Sequence, residues 1–449
     1  VEGVPQKELS LFDSTCIIMG IIIGAGIYET APTVAACLGS GPGLLAVWLA
    51  GGLLALAGAL CYAELATAYP REGGDYVYLT RAYGRGAGYM FGWSQLAIVR
   101  PGDIALMSFI FARYAQSLYA PFADCALFYA AAAIMVLTLI NILGVNAGKW
   151  TQNLLTVVKI LGLVAISVIG LLAPPPAPLP AAPEAFSWGG LQLAFILVLY
   201  TFGGWNEMAY VAAEIKRPQL NIVRALVIGT VAVTALYLLI NGAFLSALGL
   251  AGMSTSKAVA VDMMGKVLPG AAGRVIALLI CISALGAVNG LIFTGARISY
   301  ALGADHQSFR PLGRWSRGLG TPVWALVVQG GLSLAIVLVA GSFIDTILYT
   351  ASVVWAFFLA TALSVFVLRH KESHIPRPYQ VTAYPLVPLV FAACCLFMLY
   401  SSASYALTNQ PLSLLILLGV LLFGAIIYWL TDLRRRGQEI IRPRTHHRE

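Results

Sequence analysis

Apolar residues in this chain come in long runs separated by short polar and basic segments. Stretches such as Leu386–Leu407 and Leu412–Leu430 carry no formal charge at all. A helix that crosses ~30 Å of hydrocarbon needs about 20 residues. Membrane-barrel strands instead alternate over about ten. In lipid every backbone polar group must be satisfied within the protein, so runs of this length predict helices. Counting on that basis gives twelve spans, near 12–39, 42–69, 88–118, 124–143, 150–173, 191–214, 222–249, 273–302, 322–340, 343–368, 385–406 and 411–430. Several exceed the minimum, which predicts tilt or a break. The first stretch is long, glycine-broken and without a small-residue cleavage pattern, so it is expected to be a true span rather than a signal peptide.

Composition agrees with that reading. Only 10% of the residues are charged and 59% are hydrophobic, against about 25% charged in a soluble domain. The net charge of +8 suggests an anionic partner at first sight. Most of the 27 basic residues, however, lie in alternate loops, on the side that an even number of spans gives to both termini. Lys and Arg mark the cytoplasmic side of a membrane protein. The charge therefore reports topology, with both termini cytoplasmic in a multi-pass protein of the cell membrane, and calls for no nucleic acid. Six of the seven cysteines lie in apolar segments, and Cys125 falls near a loop; no spacing resembles a metal site or a disulfide framework. No cofactor is implied. The five histidines sit in loops or the tail, and no Ser–His–Asp set appears in the spans, so an enzyme is not expected.

A Pro-rich segment, 174–190, divides the spans at a natural midpoint. Spans one to five (12–173) and six to ten (191–368) then form two halves of five. Because five is odd, the second half runs inverted relative to the first, as in many secondary transporters. Residues 1–11 are an N-terminal segment, 369–430 a basic loop with two further spans, and 431–449 a basic tail.

The first span of each half is interrupted at mid-membrane: Ile21-Ile22-Ile23-Gly24-Ala25-Gly26 in one, Tyr200-Thr201-Phe202-Gly203-Gly204-Trp205-Asn206 in the other. Glycine costs a helix about 1 kcal/mol relative to Ala. One such stretch is readily explained by close helix packing through small residues. Two at matching places predict unwinding, with free N–H groups for a carboxylate and free carbonyls for an ammonium. A zwitterionic amino acid carries both groups side by side.

These strings, with Ala59–Leu65, Gly73-Gly74-Asp75-Tyr76, Arg100-Pro101, Ala258–Asp262, Val288-Asn289-Gly290 and Arg377-Pro378, resemble the amino acid–polyamine–organocation superfamily, and within it the L-type amino acid transporters. The resemblance covers nearly the whole chain. It implies an all-α polytopic LeuT-type fold, ten core helices as a 5+5 inverted repeat plus two peripheral helices. It also implies a substrate site over Ile22, Ile23, Gly24, Ala25 and Gly26 with Tyr200, Thr201, Phe202, Gly203 and Gly204. The substrate carboxylate would meet the backbone around Gly24, Ala25 and Gly26, and its amino group the carbonyls near Ile22, Tyr200, Thr201 and Gly203. Ala25 stands where members usually have Ser, and Tyr200 where L-type members often place a gating Phe. Cys125 lies roughly where animal relatives bond an accessory subunit; it is read as a free thiol, since nothing else in the sequence requires such a partner.

Charges inside the spans need a purpose, because a Lys at mid-helix costs ~3 kcal/mol on insertion scales. Lys159 is deep in span five, with neither interface within easy snorkelling reach. The resemblance implies that its ammonium replaces the sodium ion of related carriers, and it is expected to contact the first break and couple occupancy to gating. Asp103 is expected either to pair with Arg100 or to line the cavity as a selectivity or proton site. Glu29 and Glu207, near the breaks, and Asn289 are further candidates, while Glu64 and Glu214 read as structural. The expected activity is sodium-independent transport of L-amino acids, neutral ones first, by exchange or proton coupling. A carrier of cationic amino acids or polyamines on the same fold is the alternative, and a channel is a further reading.

Overall fold

The computed structural model describes residues 3–122, 125–174, 187–339, 351–409 and 411–441. Ser10 opens the first helix. Its hydroxyl accepts from the Asp13 N–H at 3.2 Å, and the Asp13 carboxylate accepts from the Ser10 N–H at 2.8 Å. That reciprocal pair satisfies two otherwise orphaned donors. Helix α1 runs Leu11–Ile22 and stops; α2 resumes at Gly26–Leu38, bent from it by 50°. The first half continues with α3 (Gly41–Ala68), α4 (Asp75–Tyr83), α5 (Arg85–Leu118), α6 (Ala126–Ile142) and α7 (Val145–Leu172).

The second half opens with α8 (Trp188–Thr201), a turn, and a 3₁₀ segment over Trp205–Glu214. Such segments rarely exceed a few residues, and a long one inside a span marks strain or a hinge. Then follow α9 (Pro218–Thr255), α10 (Val259–Gly265), α11 (Ala272–Asp305), α12 (Val323–Val339) and α13 (Ala351–Lys371). Helices α14 (Leu386–Asn409) and α15 (Pro411–Ile441) complete the chain. Among the described residues nine helices are long and apolar enough to span a bilayer; the bent α1–α2 pair makes a tenth, and α6 and α12 are shorter apolar helices. They fall on the twelve expected spans.

The packing carries the inverted symmetry. The α1–α2 pair lies against α8 and the 3₁₀ segment, α3 against α9, α5 against α11, and α6 against α12. Each of the first four spans thus touches its counterpart in the other half, as an axis through the middle of the bundle requires. Helix α11 is central, with 72% of its apolar window buried, whereas α15 has 11% and is peripheral. The architecture is the LeuT-type, all-α membrane fold.

Three features depart from the expectation. Helices α4 and α10 lie where loops were expected; both are too short to span. Asp75 sits in the first turn of α4, where an acidic residue complements the helix dipole. Helix α15 continues to Ile441, past the expected end at 430, because loss of hydrophobicity ends a membrane span but not a helix. Most of the Pro-rich loop 174–190, the junction of spans nine and ten at 340–350, the start of span four at 124, and the tail beyond 441 lie outside the described residues.

The segment before α1 and the middle of α15 lie at one end of the bundle. Leu9 donates to the Glu214 carbonyl at 2.8 Å and accepts from the Lys216 N–H at 2.9 Å. Tyr428 of α15 packs on Tyr89 and His306 at that same end. We refer to it as the terminal end.

Candidate functional site

The two breaks press against each other. Gly204 has a φ of +112°, and a Cβ on it would lie 2.7 Å from Ile21 Cγ2 and 3.3 Å from the Ile22 nitrogen. Only glycine tolerates both the dihedral and the approach. The Tyr237 hydroxyl of α9 lies 2.8 Å from the Ile22 carbonyl and 3.3 Å from the Thr201 carbonyl, so one proton serves both breaks. The Thr30 and Thr201 hydroxyls meet at 3.1 Å.

Between Ile22 and Gly26 the chain leaves donors unspent. The Gly24 N–H turns back to the Ile22 carbonyl at 2.8 Å, whereas those of Ala25, Gly26 and Ile27 find no acceptor among the described residues. They stand at the positive end of α2, a ready anion site. In the second break the Tyr200 carbonyl accepts from the Gly203 N–H at 3.0 Å, while the Phe202 and Gly203 carbonyls accept from no described group. Bare donors thus line one break and bare acceptors the other.

A cavity of about 210 Å³ lies between the breaks, walled further by α5, α11 and α13. Sites for drug-sized ligands run to ~300–1,000 Å³, so this one suits a ligand of amino-acid size. Seven of the ten expected substrate residues line it: Ile22, Gly24, Gly26, Tyr200, Thr201, Gly203 and Gly204. The other three are placed differently. The Ile23 carbonyl is taken by Lys159 and Ser283. Ala25 is wholly buried, outside the lining. The Phe202 ring turns away onto Trp48 and Tyr237. The carbonyls expected to face the amino group are likewise redistributed: those of Ile22, Tyr200 and Thr201 are engaged, and those of Phe202 and Gly203 are open.

Lys159 meets the first break from α7. Its ammonium donates to the carbonyls of Gly20 at 2.7 Å, Ile23 at 3.0 Å and Ser283 at 3.0 Å. All three protons are spent, at the negative end of α1. Gly286 makes the room, since a Cβ there would sit 2.7 Å from the ammonium. Asn289 is outside the cavity lining; it joins Asn141, Gln152 and the Gly148 carbonyl in a network across α6, α7 and α11. Glu29 is also outside the lining and forms an ion pair with Arg113.

Of the two readings of Asp103, the pairing with Arg100 gives way to a place in the cavity lining, because Arg100 has another partner. Arg100 grips Glu207 through both terminal nitrogens, at 2.8 and 2.7 Å, and donates to Gln95 at 2.9 Å. Thr294 adds a bond to Glu207 at 2.6 Å. Residues Gln95–Val99, just before Arg100, form a π-helical turn, a feature frequent at functional sites. Asp103 lines the cavity with no hydrogen bond and no ion pair to any side chain or backbone group among the described residues. Glu214 pairs with Arg297, and Glu64 with Arg369 and Arg377.

Sequence reasoning missed several residues. Trp355 and Phe358 wall the cavity from α13, but in a uniformly apolar span nothing distinguishes a ring facing a cavity from one facing lipid. It also missed a buried carboxylate, Asp75, that accepts from the hydroxyls of Tyr62, Tyr210 at 2.7 Å and Thr361 at 2.6 Å. Its quoted motif was the only available signal. Cys125 is buried and forms no disulfide within the chain. No group of three or more His, Cys, Asp or Glu among the described residues is placed to hold a metal.

Known proteins resemble this chain over most of its length. The b(0,+)-type amino acid transporter 1 of Mus musculus is 32% identical over 98% of this chain and 92% of its own length. A serine/threonine exchanger of Bacillus subtilis is 30% identical over 92% of this chain and 94% of its own. The Asc-type amino acid transporter 1 of Mus musculus is 32% identical over 94% and 82%. All three are named as carriers of amino acids, none as an enzyme. A family model described as amino acid permease matches residues 9–429, and the chain belongs to that family of membrane transporters.

Proposed function

We propose that this chain is a sodium-independent secondary carrier of L-amino acids, neutral ones among them, working by alternating access as an exchanger or with a coupled proton. The observation that carries the reading is the bare N–H group of Gly26, at the start of α2, facing the bare carbonyl of Gly203 across one small cavity that both residues line, with further unspent N–H groups at the adjoining Ala25 and Ile27. A carboxylate matches the first set and an ammonium the second. A polyamine has no carboxylate and would leave the first set unmatched. Sodium independence rests on Lys159, whose fixed ammonium already satisfies the carbonyls of Gly20, Ile23 and Ser283. Withdrawal of that contact as α1 moves is the proposed link between occupancy and gating. Tyr200, 46% exposed in the cavity wall, is the side chain available to close over the substrate.

The terminal end is assigned to the cytoplasm of the cell membrane from the distribution of Lys and Arg. No accessory subunit is invoked. The test is uptake of labelled amino acids into proteoliposomes, with and without sodium, a pH gradient and internal unlabelled substrate. Saturable uptake is expected, accelerated by internal substrate or by the proton gradient and unchanged when sodium is replaced. A requirement for sodium would end the role given to Lys159. Uptake that fails to saturate and shows no counterflow would make the cavity a channel.

A further inference from the structure

Among the described residues three charged side chains line the cavity: Arg100, Glu207 and Asp103. The first two cancel. Both Glu207 oxygens are held by Arg100, one of them also by Thr294, and the guanidinium is further committed to Gln95 and to the Tyr210 ring 5.0 Å away. Each charge is therefore met by the other, and the pair leaves no net charge for a ligand. Lys159 is outside the lining and spends its three protons on carbonyls. What remains is the carboxylate of Asp103, one turn beyond Arg100 on the same helix, with no hydrogen bond and no ion pair among the described residues.

An unmatched carboxylate at mid-membrane is expensive and by default functional. A bound zwitterion cannot settle it, because its own two charges sum to zero and are met at the breaks. A second positive charge on the substrate can. Resting on the proposed function, we infer that Asp103 is the specificity determinant for the substrate side chain, and that it selects amino acids whose side chain ends in a cation. The path to it is suitable: Leu106 and Met107 of α5 and Leu291 of α11 line the same cavity, an apolar wall along which a methylene stem packs while its charged head reaches a polar partner. Neutral amino acids share the breaks but leave Asp103 unmet, so they bind more weakly. Acidic side chains are repelled.

The test uses purified full-length protein in nanodiscs and labelled alanine as the probe. Arginine and citrulline have nearly the same shape and differ in charge, so their competition isolates the effect. Arginine is expected to displace alanine at a concentration at least about tenfold below that of citrulline, ~1.4 kcal/mol. In Asp103→Asn that ratio should fall to about one, and in Asp103→Glu it should be restored. Equal potency of arginine and citrulline against the wild type overturns the inference while leaving the carrier reading intact. So does a preference that survives in Asp103→Asn. If labelled alanine, arginine and citrulline all fail to bind the wild type, the proposed function itself is wrong.

Discussion

Toward the terminal end, the cavity floor is closed by ion pairs sunk in protein: Arg100–Glu207, with side chains 4% and 7% exposed, and Arg297–Glu214, both at 0%. Each joins the 3₁₀ segment to α5 or α11. Toward the opposite end, the ion pair found among the described residues between α2 and α5 is Glu29–Arg113, with side chains 41% and 64% exposed. Chemically the pairs are alike, but energetically they are not. Removing one partner of a buried pair strands a charge and costs about 3–5 kcal/mol. An exposed pair contributes ~0.2–1 kcal/mol and is screened by salt. The terminal end is therefore bolted, and the opposite end is held only by a latch that water can replace.

The contrast also indicates which element moves when the terminal end opens. Pulling the 3₁₀ segment away from α5 and α11 would strand four charges and loosen Tyr210 from Asp75. Pulling α1 away breaks mostly hydrogen bonds to backbone groups, at Leu9, Cys16 and Gly20, and the Asn153–Asp13 bond of 2.6 Å. Water entering behind α1 can replace those. Helix α1 is the cheaper element to move, and the 3₁₀ segment is the frame it moves against.

The strongest test of this asymmetry is Arg297→Ala. It should destabilise the purified protein by about 3–5 kcal/mol, read as a large fall in thermal unfolding temperature in detergent. Arg297→Met combined with Glu214→Leu should recover most of the loss, since both charges then leave together. If the single change costs no more than an exposed pair, the floor is not bolted. Gly204→Ala comes next. A backbone in this region costs a non-glycine residue about 1–3 kcal/mol, and the new Cβ would also press on Ile21 at 2.7 Å. Substrate binding should fall with stability; normal binding would mean the breaks need not touch. Lys159→Ala uncovers carbonyls at Gly20, Ile23 and Ser283, for about 1–3 kcal/mol. It should abolish uptake while the protein still reaches the membrane. Unchanged uptake kinetics would remove the coupling role.

How much of this was legible in the sequence follows from the range of each signal. The spans, their inversion and the paired breaks were readable because hydropathy and glycine act locally and repeat. Lys159 was readable because a lone cation in an apolar run has no local explanation. The partner of Arg100 was not. Asp103, three residues away, was one candidate by spacing. Glu207, from the other half of the chain, met Arg100 only through tertiary packing. The Tyr62–Asp75–Tyr210–Thr361 cluster joins four segments and was hidden for the same reason. Local chemistry showed which residues needed partners, and the fold decided which partners they received.

The smallest effect is the most discriminating for the latch. Arg113→Ala removes the outer member of an exposed pair, so stability should change by no more than ~1 kcal/mol, and that change should shrink further in high salt. Its consequence should appear in rate instead. With Glu29 released, α2 and α5 part more easily at the end away from the termini, and labelled substrate in proteoliposomes should exchange faster at low salt, with the difference vanishing as ionic strength rises. Reversing both charges, Glu29→Arg with Arg113→Glu, keeps the attraction and should restore the wild-type rate. An Arg113→Ala protein as destabilised as Arg297→Ala would show that Glu29 and Arg113 are shielded from water after all, and the two ends of the cavity would then differ in position but not in strength.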